Sequence, residues 1–461
     1  MAFDNIDNLN LGNLLQIVFS NGVRNQISQD YRDWEYVSRY RVGNSAAREL
    51  RFMFQTNYGP AAIQYRNPGQ SGRAFPKAQQ STIQENTAKF KEINATIELE
   101  YNMWDRARKS PEKYGEPLAI EIQAKTTAAK RRVAADLYGD GTGVMGQLAA
   151  TSATFNANGT VTFQLSTANS ARGTVGFFEF GDLLLLRAAS SAASAFDTNL
   201  ATEPFQWKVI NKDRDTDKVT LRGQDSSGAD LNVTSISTQP TAGDVFYRCG
   251  QPTIPDLTAI GSSDYGTLTE VIAGLESLTQ DDSRTIHGIT MEGATAGTRV
   301  SANGNPLDVI YIEKALSKVK TTVGQDSYSW KMMSMAPEAH STLVESRETD
   351  RRFQTVTDTK RGITYFAYVH GNDVVETYTS EYVPKKRMYF LPEAKSSDKV
   401  IEYWGSDFET VKANGMSDFH LKPAAGGGHE NTIVSYLSSI GVIVCKHPAS
   451  IAVVEDFKVT E

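Results

Sequence analysis

Cysteine is almost missing from this chain. Its 461 residues include two, Cys249 and Cys445, too few for a disulfide framework. Both follow apolar runs and read as small, reduced core side chains. Long hydrophobic runs are missing too. The stretches at 183–186 and 441–444 fall far short of the ~20 apolar residues of a membrane helix, so no membrane partner is expected. The opening Met1-Ala2-Phe3-Asp4 is acidic and polar; no signal peptide is expected, and synthesis in the cytoplasm follows. Clustered positive charge is also lacking. Lys and Arg total 47 against 54 Asp and Glu, a formal net charge of −7, and there is no basic tail. That argues against a protein whose main task is gripping nucleic acid, which needs massed cations to displace counterions. A mildly acidic surface can still lie beside packed DNA without strong attraction. No fixed-period repeat is present, which excludes solenoids and propellers.

What is present belongs to an ordinary globular composition, 40% hydrophobic and 22% charged. The length implies two or three domains. Residues 1–50 hold a weak amphipathic segment (Leu11, Leu14, Leu15, Val18, Phe19) behind Asn10 as a possible N-cap. Residues 51–91 are rich in Gln, Asn, Gly and Pro with scattered aromatics, and read as a two-stranded arm turning near Asn67-Pro68-Gly69. Such an arm cannot fold by burying its own side chains. Ordering each residue costs ~1–2 kcal/mol of backbone entropy, so the arm makes sense if neighbouring copies order it.

An alternating strand at 93–101 buries Ile93, Ala95, Ile97, Leu99 and Tyr101 on one face. A helix of about 22 residues, ~33 Å, spans 117–138. Its stripe is Leu118, Ile122, Ala129, Val133 and Leu137, with Glu121–Lys125 and Arg132–Asp136 pairs at i,i+4 spacing and Gly139 as a left-handed terminator. From 144 to 248 helical periodicity is absent. Short strands at 160–165, 174–180, 183–186, 205–210, 218–221 and 244–247 imply an all-β module, a small barrel or sandwich. Helices are then expected at 267–278 and after Pro337. A third has Asn305 as N-cap, Pro306 first, Asp308 in the first turn, an apolar stripe of Val309, Ile312, Leu316, Val319 and Val323, and Gly324 beyond its end. Strands are expected at 330–335, 363–369, 374–379, 387–391, 441–445 and 451–454.

Signatures of chemistry are weak. Asp213, Asp215 and Asp217 match three ligand positions of an EF-hand loop, but Lys218 stands where Gly is needed and Gln224 where Glu is needed, so a solvated hairpin tip is the better reading. Gly139-x-Gly141-x-Gly143 follows a helix and lacks the Lys-Ser/Thr of a P-loop; Gly426-Gly427-Gly428 lies in no strand–helix context. The six histidines, His287, His340, His370, His420, His429 and His447, show no metal-ligand spacing. Cys445 and His447 share a strand face and nothing more. No enzyme activity, cofactor or metal is expected.

The order of these parts resembles the major capsid protein family of tailed double-stranded DNA bacteriophages, a fold shared with encapsulins. The passage from Phe75-Pro76-Lys77 through Glu85-Asn86-Thr87-Ala88-Lys89-Phe90 to Ile97-Glu98-Leu99-Glu100-Tyr101 is similar to the family's extended loop returning to its body. Gly139-Asp140-Gly141-Thr142 before Gly146-Gln147-Leu148 is similar to the exit of its spine helix, and His447-Pro448-Ala449 between strands to its closing segment. The resemblance implies an α+β chain: an N-terminal arm (1–50), an extended β loop (51–103), the spine helix and start of a peripheral domain (104–143), an inserted β-barrel or sandwich (144–252), and an axial α/β domain with the rest of the peripheral domain (253–461). It implies a virion shell protein, assembled in the host cytoplasm as hexamers and pentamers around double-stranded DNA. A separate scaffolding protein, a portal and possible decoration proteins would be partners. Tyr58, Tyr65, Phe75, Lys77, Lys89 and Phe90 would be loop contacts between subunits, and Lys125, Lys130, Arg131 and Arg132 would face the DNA. Some relatives form Lys–Asn cross-links, for which Lys77, Lys89 and Lys91 are loop lysines; no partner Asn or acid is identified, so that activity is not carried over. Open alternatives are an encapsulin-like compartment, a monomeric or dimeric carbohydrate- or calcium-binding β protein centred on 144–248, and, least supported, a hydrolase.

Overall fold

The computed structural model describes residues 37–42, 49–57, 82–102, 105, 117–168, 173–187, 206–225, 229–233, 242–248, 271–279, 285–286, 289–290, 298–323, 328–345, 353–358, 363–370, 373–394, 400–406, 409–410, 420–423 and 429–459. The expected segment at 10–19, the arm's turn at 67–69, Cys249, His287 and the glycines at 426–428 lie outside them.

Strands β1 (Ser38–Arg41), β2 (Glu49–Asn57), β3 (Thr82–Lys89) and β4 (Lys91–Glu100) precede the long helix α1 (Pro117–Asp136). Then come β5 (Val144–Phe155), β6 (Thr160–Leu165), β7 (Leu183–Arg187), β8 (Gln206–Asp213), β9 (Lys218–Gln224) and β10 (Val245–Arg248). A short helix α2 (Leu275–Leu278), the hairpin β11 (Thr285–Ile286) and β12 (Ile289–Thr290), β13 (Thr298–Ser301), α3 (Val309–Val323), β14 (Tyr328–Met335) and α4 (Pro337–Glu345) follow. The chain continues with β15 (Phe353–Asp358), β16 (Ile363–His370), β17 (Asp373–Thr379), β18 (Arg387–Ala394), β19 (Ile401–Gly405), β20 (Glu409–Thr410), β21 (His420–Pro423), β22 (His429–Cys445) and β23 (Ala452–Glu455).

The long strand β22 organises the first sheet. Along one edge it pairs with β4, from Lys91↔Gly441 to Glu100↔Thr432. Along the other it pairs with β19, β20 and β21, and β1 adds in parallel to β19. Ile97 and Leu99 are buried on the β4 face that carries Ile433 and Leu437, while Glu92, Asn94, Thr96 and Glu98 stay exposed on the other. Helix α1 lies close to β4. Its Ala129, Val133 and Leu137 are buried; the side chains of Leu118 and Ile122 lie outside the described residues. At its exit Asp140 accepts from the Thr142 amide at 2.9 Å and hydroxyl at 2.5 Å. The left-handed positions are Gly141 (φ 79) and Gly143 (φ 80), not Gly139, because the Asp140 cap moves the reversal two residues on.

Strands β5 to β10 close into a barrel in the order β10-β5-β6-β9-β8-β7. Inward positions carry Val161, Phe163, Leu184, Leu186, Trp207, Val209, Val219, Leu221 and Phe246, all under a few per cent exposed. Trp207 meets Phe163 edge-on at 5.4 Å. Trp207→Ala should therefore cost about 3–5 kcal/mol, the range for truncating a core aromatic, read as a lower urea midpoint; an unchanged midpoint would remove Trp207 from the core. The strand expected at 174–180 is instead a 3-10 turn, Val175–Phe177, because the Thr174 amide bonds the Met145 carbonyl and the chain must then bend to bury Phe178.

The second large sheet has the order β13-β23-β18-β14-β17-β16-β15. Alternate residues face opposite ways: Met333 and Met335 pack with Ile312, Leu316 and Val319 of α3 and with Ala339 and Leu343 of α4, whereas Met332 and Tyr389 join the core shared by α1 and the barrel. Tyr138 belongs to the second of these cores, its hydroxyl 2.6 Å from Ser334 Oγ. The cap of α3 is Asp308, whose carboxylate accepts the Ile310 amide at 3.4 Å. Asn305 and Pro306 do not start the helix, because the Lys458 amide bonds the Asn305 carbonyl and Pro306 bridges to Lys458 in parallel. Of the helix expected at 267–278, residues 267–270 lie outside the described residues, 271–274 are not helical and 275–278 form α2. Its start is pinned to the α1 exit, with Gly274 donating to Gly139 and Leu275 to Leu137.

Candidate assembly surface

The arm is a hairpin of β2 and β3 in antiparallel register, Glu49↔Lys89 to Asn57↔Thr82. Only Phe90 separates β3 from β4. Its inner face is rooted: Ala88 is buried with Val442 and Val444 of β22, and Leu50, Phe52, Phe90 and Trp404 pack against them. The Tyr40 ring stacks on Trp404 at 4.5 Å. Asn86 is buried at this root, and among the described residues neither its Nδ2 nor its Oδ1 has a hydrogen-bond partner.

The outer face has no cover among the described residues. Glu49, Arg51, Glu85 and Lys89 are exposed, with Arg51 3.6 Å from Glu85 and 3.8 Å from Glu49. Beyond them, towards the tip, Met53 is 79% and Ile83 60% exposed. Isolated exposed apolar residues are ordinary. Two neighbouring ones on a hairpin that, among the described residues, pairs only with itself beyond its root are characteristic of a surface awaiting a partner.

Of the expected contact residues, Lys89 lies exposed at the end of β3 and Phe90 half-buried at the root; Tyr58, Tyr65, Phe75 and Lys77 lie outside the described residues. The basic run on α1 divides. Lys125 and Lys130 are exposed. Arg131 instead turns to Glu179 at 3.1 Å and Glu381 at 3.2 Å; burial opposes its charge, but Tyr382, Glu179 and Glu381 outweigh it and hold the guanidinium above its usual range. Arg132 pairs with Asp136 at 3.1 Å, the i,i+4 pair of the helix pattern. Arg131 and Arg132 are thus engaged with carboxylates within the chain.

The aspartates of the β8–β9 turn diverge. Asp213 accepts from Thr216 Oγ1 at 2.6 Å and the Asp215 amide at 3.0 Å, and Asp217 meets Lys385 at 2.8 Å. Asp213, Asp215 and Thr216 are exposed, as expected of a hairpin tip, while Asp217 docks its base on Lys385. Burial pushes the Cys445 thiol up to about 12, an unreactive value at neutral pH, and burial lowers His447. No helix among the described residues is long and apolar enough to cross a membrane.

No family model and no curated protein matches the sequence. Among solved structures the chain is similar to a chain of the cyanophage A-1(L) capsid asymmetric unit, at 10% identity and a TM-score of 0.49, covering 95% of this chain and 96% of that one. It is similar to the capsid of the native GTA particle at 9% identity and a TM-score of 0.43, covering 99% and 100%. It is also similar to the holo-SrpI encapsulin complex from Synechococcus elongatus at 10% identity and a TM-score of 0.39, covering 100% and 98%. No residue role passes from these likenesses to this chain.

Proposed function

We propose that this chain is a major capsid protein, whose copies tile the icosahedral head around the double-stranded DNA of a tailed phage. The observation that carries the reading is the hairpin β2–β3: rooted on β22 by Ala88 and Phe90, apolar on its outer face at Met53 and Ile83, and, among the described residues, paired beyond its root only with itself. Capsomer rings require head-to-tail contacts that close on themselves. An arm lying across an adjacent copy supplies such a contact. The function is mechanical rather than catalytic.

On this reading β2–β3 is the extended loop and α1 the spine helix. The β22 sheet belongs to the peripheral domain, the seven-stranded sheet with α3 and α4 is the axial domain, and the barrel is an insertion. The exposed Lys125 and Lys130 of α1 face the packaged DNA, and scaffolding and portal proteins complete the head. Deleting residues 58–89 should leave a folded body that no longer forms particles in electron microscopy or sedimentation. Normal shells from that variant would sink the arm's role. DNA inside purified particles supports the phage head, and enzyme cargo in its place supports a compartment of the encapsulin kind.

A further inference from the structure

The β8–β9 turn enters the groove beside the loop between β17 and β18. Arg214 donates from Nε to Glu338 of α4 at 2.5 Å, and from its Nη groups to the backbone carbonyls of Glu381 and, at 3.3 Å, Val383. Lys385 reaches back to Asp217 at 2.8 Å and to the Asp215 carbonyl at 3.2 Å. Lys212 lies 3.4 Å from Glu381, and Arg131 of α1 meets the same carboxylate at 3.2 Å. A Cβ on Gly176 would collide with the Glu381 carbonyl oxygen, so the barrel and loop backbones touch where Arg214 enters. Four cations (Arg131, Lys212, Arg214, Lys385) thus meet four carboxylates (Glu179, Asp217, Glu338, Glu381), the most exposed being Glu381 at 39%.

The apolar core beneath runs on from the barrel into both sheets, so cohesion does not need this cluster. Apolar burial is non-directional. A guanidinium fork is directional, because its donors leave a rigid plane at fixed angles. We propose that Arg214 is an orientation lock: it sets the angle between the barrel and the α/β sheet and, through Glu381 and Arg131, ties that angle to α1. A second consequence rests on the shell reading above. A locked barrel is a fixed part of the wall and helps set the angle at which neighbouring subunits meet.

The test compares full-length parent, Arg214→Ala and Arg214→Lys by hydrogen exchange and electron microscopy. In Arg214→Ala the amides of Thr216, Val383 and Arg387 should exchange at least about tenfold faster, as a locally opened unit does, while those of Val209, Val219 and Leu221 in the barrel core keep their rates. Arg214→Lys should fall between, since one ammonium keeps the charge beside Glu338 but cannot serve both carbonyls. Unchanged exchange at the loop overturns the lock. A uniform rise across the barrel overturns it as well, since Arg214 would then support folding rather than angle. Particle diameters should broaden in Arg214→Ala; local exchange with unaltered diameters overturns the wall consequence alone. A parent that forms no particles counts against the shell reading and leaves the exchange result to decide the lock.

Discussion

A chain carrying Met53→Lys and Ile83→Lys should fold as the parent does and form no particles. Both side chains lie on the outer face of β2–β3 and are mostly exposed in the single subunit, Met53 at 79% and Ile83 at 60%, so the exchange should change its stability within about 0.5 kcal/mol, as for ordinary surface positions. Lysine suits the register, because Met53 stands opposite Glu85. Within a contact between copies the outcome differs. A charge taken into an apolar contact without a partner costs about 3–5 kcal/mol, and two such charges per arm recur at every equivalent contact of a ring. Circular dichroism should match the parent, while sedimentation and negative-stain images show only small species. Intact shells from the double variant would take the arm's outer face out of the interface.

Glu276→Gln should cause the largest loss of stability of any single isosteric change considered. The Glu276 carboxylate is buried between Arg299 at 3.0 Å and Arg387 at 2.9 Å, and accepts the Tyr389 hydroxyl at 2.6 Å. It joins α2 to β13 and β18, and Glu455 of β23 takes the second face of Arg299 at 2.8 Å. Removing one charge leaves the guanidinium groups under-compensated in a dry site, at a cost of about 3–5 kcal/mol. Burial alone would raise the Glu276 carboxyl, but Arg299, Arg387 and Tyr389 together hold it below the ordinary glutamate range. A carboxyl depressed in the folded state contributes stability that is complete above the unfolded value, ~4.3, and fades as pH falls through the folded one. The parent should therefore lose stability more steeply than Glu276→Gln on acidification below about pH 4.3. Urea unfolding at neutral and acid pH measures both effects; parallel pH curves for parent and variant would refute the assignment.

The elements with a strong period were legible in the sequence. The alternation in 93–101 became β4 as far as Glu100, with Tyr101 exposed beyond the strand's end, the stripe in 305–324 became α3, and the strand at 160–165 is β6. Local pattern carries such elements because one face of each is buried. Where a distant segment imposes the backbone, local pattern failed. Lys458 holds Asn305 and Pro306 extended and leaves Asp308 to cap α3, and the tie to Gly139 keeps Gly274 outside α2. At the candidate surface the two-stranded arm could be read from its composition, but not its outward face. Leu50, Phe52, Met53 and Phe54 break the alternation at Met53, so only the pairing with β3 shows which side is rooted. Arg132 could be separated from Lys130 by its i,i+4 partner Asp136, but Arg131 could not, because its carboxylates lie far along the chain at positions 179 and 381. Arg214 carries no signal in the sequence beyond that of one cation in a hairpin turn.

Because β3 runs into β4 with one residue between them, tension on a hairpin held by a neighbour passes straight into the β4–β22 ladder. Antiparallel hydrogen bonds stand perpendicular to their strands, so a pull along β4 loads the rungs from Lys91↔Gly441 to Glu100↔Thr432 together, in shear, rather than peeling them one after another. A container under internal pressure stretches its walls in their own plane. On the proposed shell reading, stretching directed along β4 is met by this ladder in shear.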